Sequence, residues 1–224
     1  MLSHFLRAAT VKESSAYEFS YLGFSTDTSN ASTYTFSAQS LGDPHSKREI
    51  FVTCIGSVPT GTPTLASATI GGVSATLQTS YAVTNTSQVC FFAAVPSGTT
   101  GDIVLNFNSS FGNASIGVYR VINRPNKGNN ATASGSGTGA GVTTVSLSTN
   151  ITVQANGFLV GTVASTSVAT VNSSSVFTVN GSSNIENYMG TTSYSRIGTT
   201  SISTNNTITF STTESGRQAA WAFN

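Results

Sequence analysis

The sequence predicts an all-β fold built from antiparallel sandwiches. Short β-branched and aromatic runs recur at intervals of about 8–12 residues, separated by turn-forming residues, a spacing typical of sandwiches and barrels. No segment of about a dozen residues shows helical periodicity. Of the 224 residues 38% are hydrophobic and 8% are charged. This composition supplies apolar material for a core and lacks the high charge of disordered chains.

In the first half, the burial expected of each strand follows from its pattern. Residues 49–55 are apolar on both faces, so we expect them in the centre of a sheet. Residues 102–107 alternate between apolar and polar side chains, as a half-buried strand does. Gly71 and Gly72 suit a two-residue hairpin turn, which needs positive φ at both positions. The remaining candidate strands there are 33–36, 65–70, 73–77, 88–95 and 115–122.

The second half has the same character. Its candidate strands are 151–154, 158–163, 176–179, 191–196, 207–211 and 218–223. A turn is expected at 155–157, where Asn156 and Gly157 tolerate positive φ. Residues 102–120 align with 205–223 without a gap, which suggests a weak internal repeat.

The domain organisation follows from a change of composition in the middle of the chain. Residues 125–141 are rich in Gly, Ser and Asn, which is typical of a flexible linker. We therefore predict two tandem sandwiches, Ig-like or jelly-roll-like, over residues 17–124 and 142–224. The alternative is one larger jelly roll whose two sheets draw on both halves.

The first 16 residues are interpreted as an N-terminal docking arm. Leu2, Phe5 and Leu6 are spaced for one face of a helical turn and would insert into a neighbouring subunit. A short helix folded back on its own domain, or a frayed end, is the alternative. The segment lacks the continuous apolar stretch of a secretory signal.

No catalytic residue, cofactor or metal site is predicted. The one charge cluster, residues 43–49, contains Asp43 and His45, but a metal or acid–base site needs more converging groups. We interpret it as a solvated loop. Cys54 and Cys90 lie in strand-like runs and are expected as buried thiols, with a bridge between them as the alternative.

Five tyrosines are candidate contacts with a glycan or a protein partner: Tyr17, Tyr21, Tyr34, Tyr188 and Tyr194. Exposed rings among Ser and Asn residues would offer stacking surface, whereas at sandwich edges such rings are commonly buried. A net charge of +1 provides no field for nucleic acid or an anionic membrane. No apolar run approaches the ~18 residues of a membrane span.

Four motifs in residues 33–122 resemble virion-associated structural proteins of tailed bacteriophages. They are Ser-Leu-Gly at 40–42, Arg-Glu-Ile-Phe-Val at 48–52, Ala-Thr-Ile-Gly-Gly-Val-Ser-Ala-Thr-Leu at 68–77 and Ala-Val-Pro-Ser-Gly-Thr-Thr-Gly-Asp-Ile-Val-Leu at 94–105. The resemblance implies a non-enzymatic capsid decoration, head or tail fibre, or tail-accessory subunit.

The partners implied are other capsid or tail proteins, further copies of the chain in a homo-oligomer, and a host surface glycan. Such a subunit would be assembled in the reducing host cytoplasm, which agrees with the sparse cysteines. The alternative function is an adhesin-like or carbohydrate-binding module. An enzyme such as a depolymerase is the least favoured hypothesis, because no nucleophile or carboxylate pair is evident.

Overall fold

The fold is seen in a computed structural model that describes residues 17–57, 61–83, 86–124, 131, 133–148, 150–165, 171–174, 178–185, 189–197, 202–204 and 207–224. Every regular element in these ranges is a β-strand, so the predicted all-β class is confirmed. Among the same residues there is no helix of the length and hydropathy needed to cross a membrane.

The strands, in chain order, are β1 (Glu18–Asp27), β2 (Ala31–Ser40), β3 (Arg48–Ser57), β4 (Leu65–Ile70), β5 (Val73–Ser74), β6 (Thr76–Leu77), β7 (Tyr81–Val83), β8 (Thr86–Ala94), β9 (Thr100–Phe111), β10 (Asn113–Ile122), β11 (Ala133–Ser146), β12 (Ile151–Val153), β13 (Phe158–Ser165), β14 (Val171–Ser174), β15 (Thr178–Ile185), β16 (Met189–Ile197), β17 (Ile202–Thr204) and β18 (Thr207–Phe223).

Antiparallel pairing arranges these strands in three larger sheets and one two-stranded ribbon. The central sheet has the order β1-β10-β3-β8-β6, with β7 also paired to β8. The outer sheet has the order β2-β9-β4-β5. The C-terminal sheet has the order β11-β18-β13-β16-β15, with β14 also paired to β18, and the ribbon joins β12 to β17.

The central sheet is covered on both faces. Ile50, Val52 and Cys54 of β3 belong to a core shared with the outer sheet, whose contribution includes Tyr34, Phe36, Ile70, Ile103 and Leu105. The alternate residue Phe51 belongs to a second core shared with the C-terminal sheet, whose contribution is Phe158, Val160, Ala219, Trp221 and Phe223. All ten residues of β3 are buried, which confirms the central position expected for 49–55.

The hairpin predicted at Gly71 and Gly72 is also confirmed. Their φ angles are 56° and 79°, and Ile70 pairs with Val73 across the turn. Such φ values suit glycine, because a Cβ atom clashes in the left-handed region. The turn expected at 155–157 is present, with Asn156 at a φ of 63°, but it connects strands of different sheets.

Each sheet within the described residues draws its strands from one half of the chain. In both halves the first strand pairs with the last, and the last pairs with a strand from between them: β1-β10-β3-β8 in the first half and β11-β18-β13-β16 in the second. This shared order agrees with an internal repeat. The division into two tandem sandwiches stays a prediction.

The conformation expected for the linker is wrong over residues 133–141, which lie within β11. Main-chain pairing needs no side chains, so a Gly- and Ser-rich segment can extend along β18, with Gly135 opposite Ala220 and Gly137 opposite Gln218. At Gly139 a Cβ atom would lie 2.6 Å from Val142 Cγ2, so close packing favours glycine there. Residues 125–130 and 132 lie outside the described residues.

The two cysteines are free and buried on opposite faces of the central sheet. Cys54 lies in the core shared with the outer sheet and Cys90 in the core shared with the C-terminal sheet. Burial raises the pKa of both thiols, which disfavours the reactive thiolate. The expectation of two buried thiols is confirmed.

We therefore expect neither cysteine to react with a thiol reagent such as DTNB while the protein is folded, and both to react in guanidinium chloride. Titration of the native and unfolded chain, without reductant, measures this directly. A denatured protein with no titratable thiol would contain the disulfide and contradict the assignment.

Candidate functional site

Tyr34 is a core residue and provides no exposed ring, so its interpretation as a possible glycan or partner contact is wrong. Its exposed fraction is 1%. The hydroxyl donates a hydrogen bond to the Ser29 carbonyl oxygen, five residues upstream, which satisfies the polar end of the side chain. Its ring packs edge-on against Phe107, with centroids 6.0 Å apart.

Tyr17 and Tyr21 are partly buried against the core between the central and C-terminal sheets. The Tyr21 ring lies 5.6 Å from the ring of Tyr119. The Tyr17 hydroxyl is buried without a hydrogen-bond partner within the described residues, and burial raises its pKa. Both rings therefore contribute to packing between sheets, which leaves less of their surface for a ligand.

Of the other predicted contact residues, the structure describes only the main chain of Tyr194. The main chain of Tyr194 lies in β16, opposite Gly161 of β13 and Val179 of β15. Tyr188, and the arm residues Leu2, Phe5 and Leu6, lie outside the described residues. Their proposed contacts stay predictions.

The charge cluster at 43–49 forms a turn. His45 is buried, with 7% of its surface exposed, and its Nδ1 accepts a hydrogen bond from the Lys47 amide at 3.0 Å. The His45 amide donates to the Pro96 carbonyl oxygen. The solvated loop expected here is correct for Asp43 and Lys47, which are exposed, and wrong for His45, Arg48 and Glu49, which are buried. Within the described part of the chain no three His, Cys, Asp or Glu side chains group together as metal ligands would.

Arg48, which the sequence analysis did not single out, organises the loops at this end of the sandwich. Its side chain is 1% exposed, and its guanidinium donates to five main-chain carbonyl oxygens. The acceptors and distances are Val95 (2.6 Å), Leu41 (3.1 Å), Gly42 (2.7 Å), Ser97 (2.7 Å) and Gly98 (2.8 Å). A guanidinium has five N–H donors, so its hydrogen-bonding capacity is fully used. Burial lowers the pKa of this arginine.

A second buried arginine lies between the two halves. Arg124 Nε and Nη2 donate to the two carboxylate oxygens of Glu49 at 2.9 and 3.0 Å, a bidentate ion pair. The guanidinium also lies 5.0 Å from the ring centre of Phe92 and 5.9 Å from that of Phe223. Hydrogen bonds also join the two halves directly, from Trp221 Nε1 to the Thr79 carbonyl oxygen and from Gln88 Nε2 to Thr162.

Six uncharged residues on the outward side of the outer sheet form a surface that we call the hydroxyl face: Thr33 and Thr35 of β2, Val104 and Asn106 of β9, and Ser67 and Thr69 of β4. Beside it on β9 lies the exposed Asp102, whose carboxylate accepts a hydrogen bond from the Ala38 amide at 2.9 Å. A hydrogen-bonded row crosses three strands. Thr33 Oγ1 donates to Asn106 Oδ1 at 3.0 Å, and Asn106 Nδ2 donates to Ser67 Oγ at 3.2 Å. The next row is Thr35, Val104 and Thr69. These groups are held in fixed positions before any partner arrives, which lowers the entropic cost of binding.

Comparison with known proteins assigns no family to this chain. No protein-family model matches it, and no curated protein matches it significantly.

Replacing Arg48 by lysine should destabilise the protein by at least about 2 kcal/mol. An ammonium has three donors, so at least two of the five carbonyl oxygens lose their partner, at about 1–3 kcal/mol each. Amide hydrogen exchange should also accelerate at Leu41 and His45, whose amides bind carbonyls of the same loops. Lys47→Met at the neighbouring exposed position is the control and should leave both measurements unchanged. Equal protection in wild type and Arg48→Lys would contradict this role.

Replacing Arg124 by methionine should cost about 3–5 kcal/mol in urea unfolding, because Glu49 is left charged and buried. Arg120→Met is the matched control: its partner Glu18 has 38% of its side chain exposed, and such a pair contributes about 1 kcal/mol or less. The double variant Arg124→Met with Glu49→Gln should recover part of the loss. An equal loss of unfolding free energy in Arg124→Met and Arg120→Met would show that Arg124 does not stabilise the contact between the two halves.

Proposed function

We propose that the protein is a non-enzymatic structural subunit of a tailed-phage virion, a capsid decoration, fibre or tail-accessory component, which acts by docking on other virion proteins. The observation that carries the proposal is the hydroxyl face. Its six residues present hydroxyl groups, an amide and one aliphatic side chain, none of them charged, next to the exposed Asp102 of β9, on a sheet whose opposite side packs in the core. The virion assignment rests on the motif resemblance in residues 33–122.

An uncharged face suits a particle that must persist outside the cell. Hydrogen bonds between neutral groups are little affected by salt, whereas exposed ion pairs are screened. The two buried, free thiols support assembly in a reducing cytoplasm, since no disulfide is needed to hold the sheets together.

The packing of the tyrosines favours protein docking over the carbohydrate-binding alternative. Sugar platforms depend on exposed aromatic rings, but Tyr34 is buried and Tyr17 and Tyr21 pack between sheets. A glycan array probed with the full chain separates the two functions. Tight binding that is lost in Tyr17→Ala or Tyr21→Ala, with unfolding unchanged, would favour the adhesin-like module.

The direct test is mass spectrometry of virions purified from the phage that encodes the chain. We expect the chain in particles at a fixed copy number, retained after a wash in about 1 M salt because hydrogen bonds of the hydroxyl face are little affected by salt. Copy number distinguishes a head-lattice subunit from a tail component. Recovery of the chain only in the soluble lysate would overturn the proposal.

Deletion of residues 1–16 tests the docking arm. We expect loss of incorporation into particles while cooperative unfolding of the remaining chain is kept. A second variant keeps the length of the arm and replaces its three apolar residues: Leu2→Ser, Phe5→Ser and Leu6→Ser. It should also fail to incorporate, because the apolar contacts are lost. Normal incorporation of either variant would refute the arm.

A further inference from the structure

We infer that β2 of one copy pairs with β2 of a second copy, in antiparallel orientation, and joins the two outer sheets into one. The inference rests on the proposed role as a particle subunit and names one contact that builds the oligomer. Two-fold pairing of identical edges is the usual isologous form of a homodimer.

Strand β2 is an edge with a free side. Within the described residues it pairs with β9 alone, so its second row of main-chain groups faces away from the sheet. Edge strands are commonly protected by charged side chains, proline or β-bulges; β2 contains no charge or proline in its ten residues, and its irregular positions, including Ala38 with a φ of 50°, lie outside residues 33–36. Register shifts next to Ala31 and after Phe36 leave a regular stretch, 33–36, between them. This stretch is suited to accept another strand.

Charge and side-chain content favour self-pairing at β2 over β1, β5 and β11. Strand β1 carries Glu18 and Asp27 at opposite ends, so an antiparallel second copy would place like charges across from each other. Strand β5 has two residues. Strand β11 is uncharged but Gly-rich, so it offers few side chains for cross-strand pairs. At β2 a second copy meets no like charge.

The sequence of β2 is self-complementary about Thr35. A two-fold axis there places Thr35 opposite Thr35 and Tyr34 opposite Phe36 within the regular stretch, and Thr33 opposite Ser37 just beyond its end. The exposed hydroxyl-bearing residues then meet one another across the contact, while Tyr34 and Phe36 stay packed in the core of their own copy. The hydroxyl face then continues across both copies.

The test is sedimentation of the full chain between about 1 and 100 µM, a range chosen because edge pairing buries little area and gives weak dimers. We expect a concentration-dependent dimer. Thr35→Lys places two ammonium groups opposite each other and should weaken dimerisation at least tenfold. Ser74→Lys, an exposed position on β5 of the same sheet, is the control and should dimerise as wild type. Unfolding midpoints of both variants verify that they fold.

A covalent readout tests the register. Because both native thiols are buried, Thr35→Cys introduces an accessible one, and copper–phenanthroline should oxidise two copies to a disulfide-linked dimer. Ser74→Cys should give no such product. A wild type that is monomeric throughout, a dimer unaffected by Thr35→Lys, or equal cross-linking of both cysteine variants would each overturn the inference.

Two further outcomes separate the possible occupants and the two proposals. If dimers form only after deletion of residues 1–16, that segment of the chain occupies the β2 edge and the second copy does not. If Thr35→Lys is monomeric yet still enters particles, the β2 contact is real but is not required for docking. A wild-type monomer that enters particles refutes this inference and leaves the proposed function standing.

Discussion

Burial of the central sheet on both faces is the constraint on which the rest of the structure depends. A sheet with one wet face needs one covering layer, but β3 has side chains buried in two cores and needs two. The outer sheet supplies one layer and the C-terminal sheet supplies the other. Apolar burial at two adjacent sheet-to-sheet contacts therefore contributes to the folding free energy.

Two buried arginines lie at the borders of these sheets, and the charge of each is compensated in a different way. The Arg48 guanidinium donates all five of its N–H groups to main-chain carbonyl oxygens of separate loops, so its charge is compensated largely by carbonyl dipoles. Arg124 pairs with Glu49 and lies against aromatic rings of both halves. Buried charges rarely add net stability compared with apolar residues. Arg48 defines the positions of the loops that it binds, and Arg124 defines how the central and C-terminal sheets fit together. Apolar contacts alone would define both less specifically.

The proposed function uses the surface that this packing leaves outside. The hydroxyl face lies on the side of the outer sheet away from the core, and the free edge of β2 borders it. In both proposals the contact is made by directional hydrogen bonds of uncharged groups. Docking and self-association would then be two uses of one sheet, distinguished by whether side chains or main-chain groups make the contact.

The sequence by itself determined the all-β class, the central position of β3 and the Gly71–Gly72 hairpin, because periodicity and turn chemistry are local. It did not reveal β11, since pairing along β18 uses main-chain groups that composition does not report. The tertiary structure alone decided which tyrosine rings are buried and where Arg48 finds its acceptors. Those acceptors lie 6 to 50 residues away in the chain, so only folding brings them together.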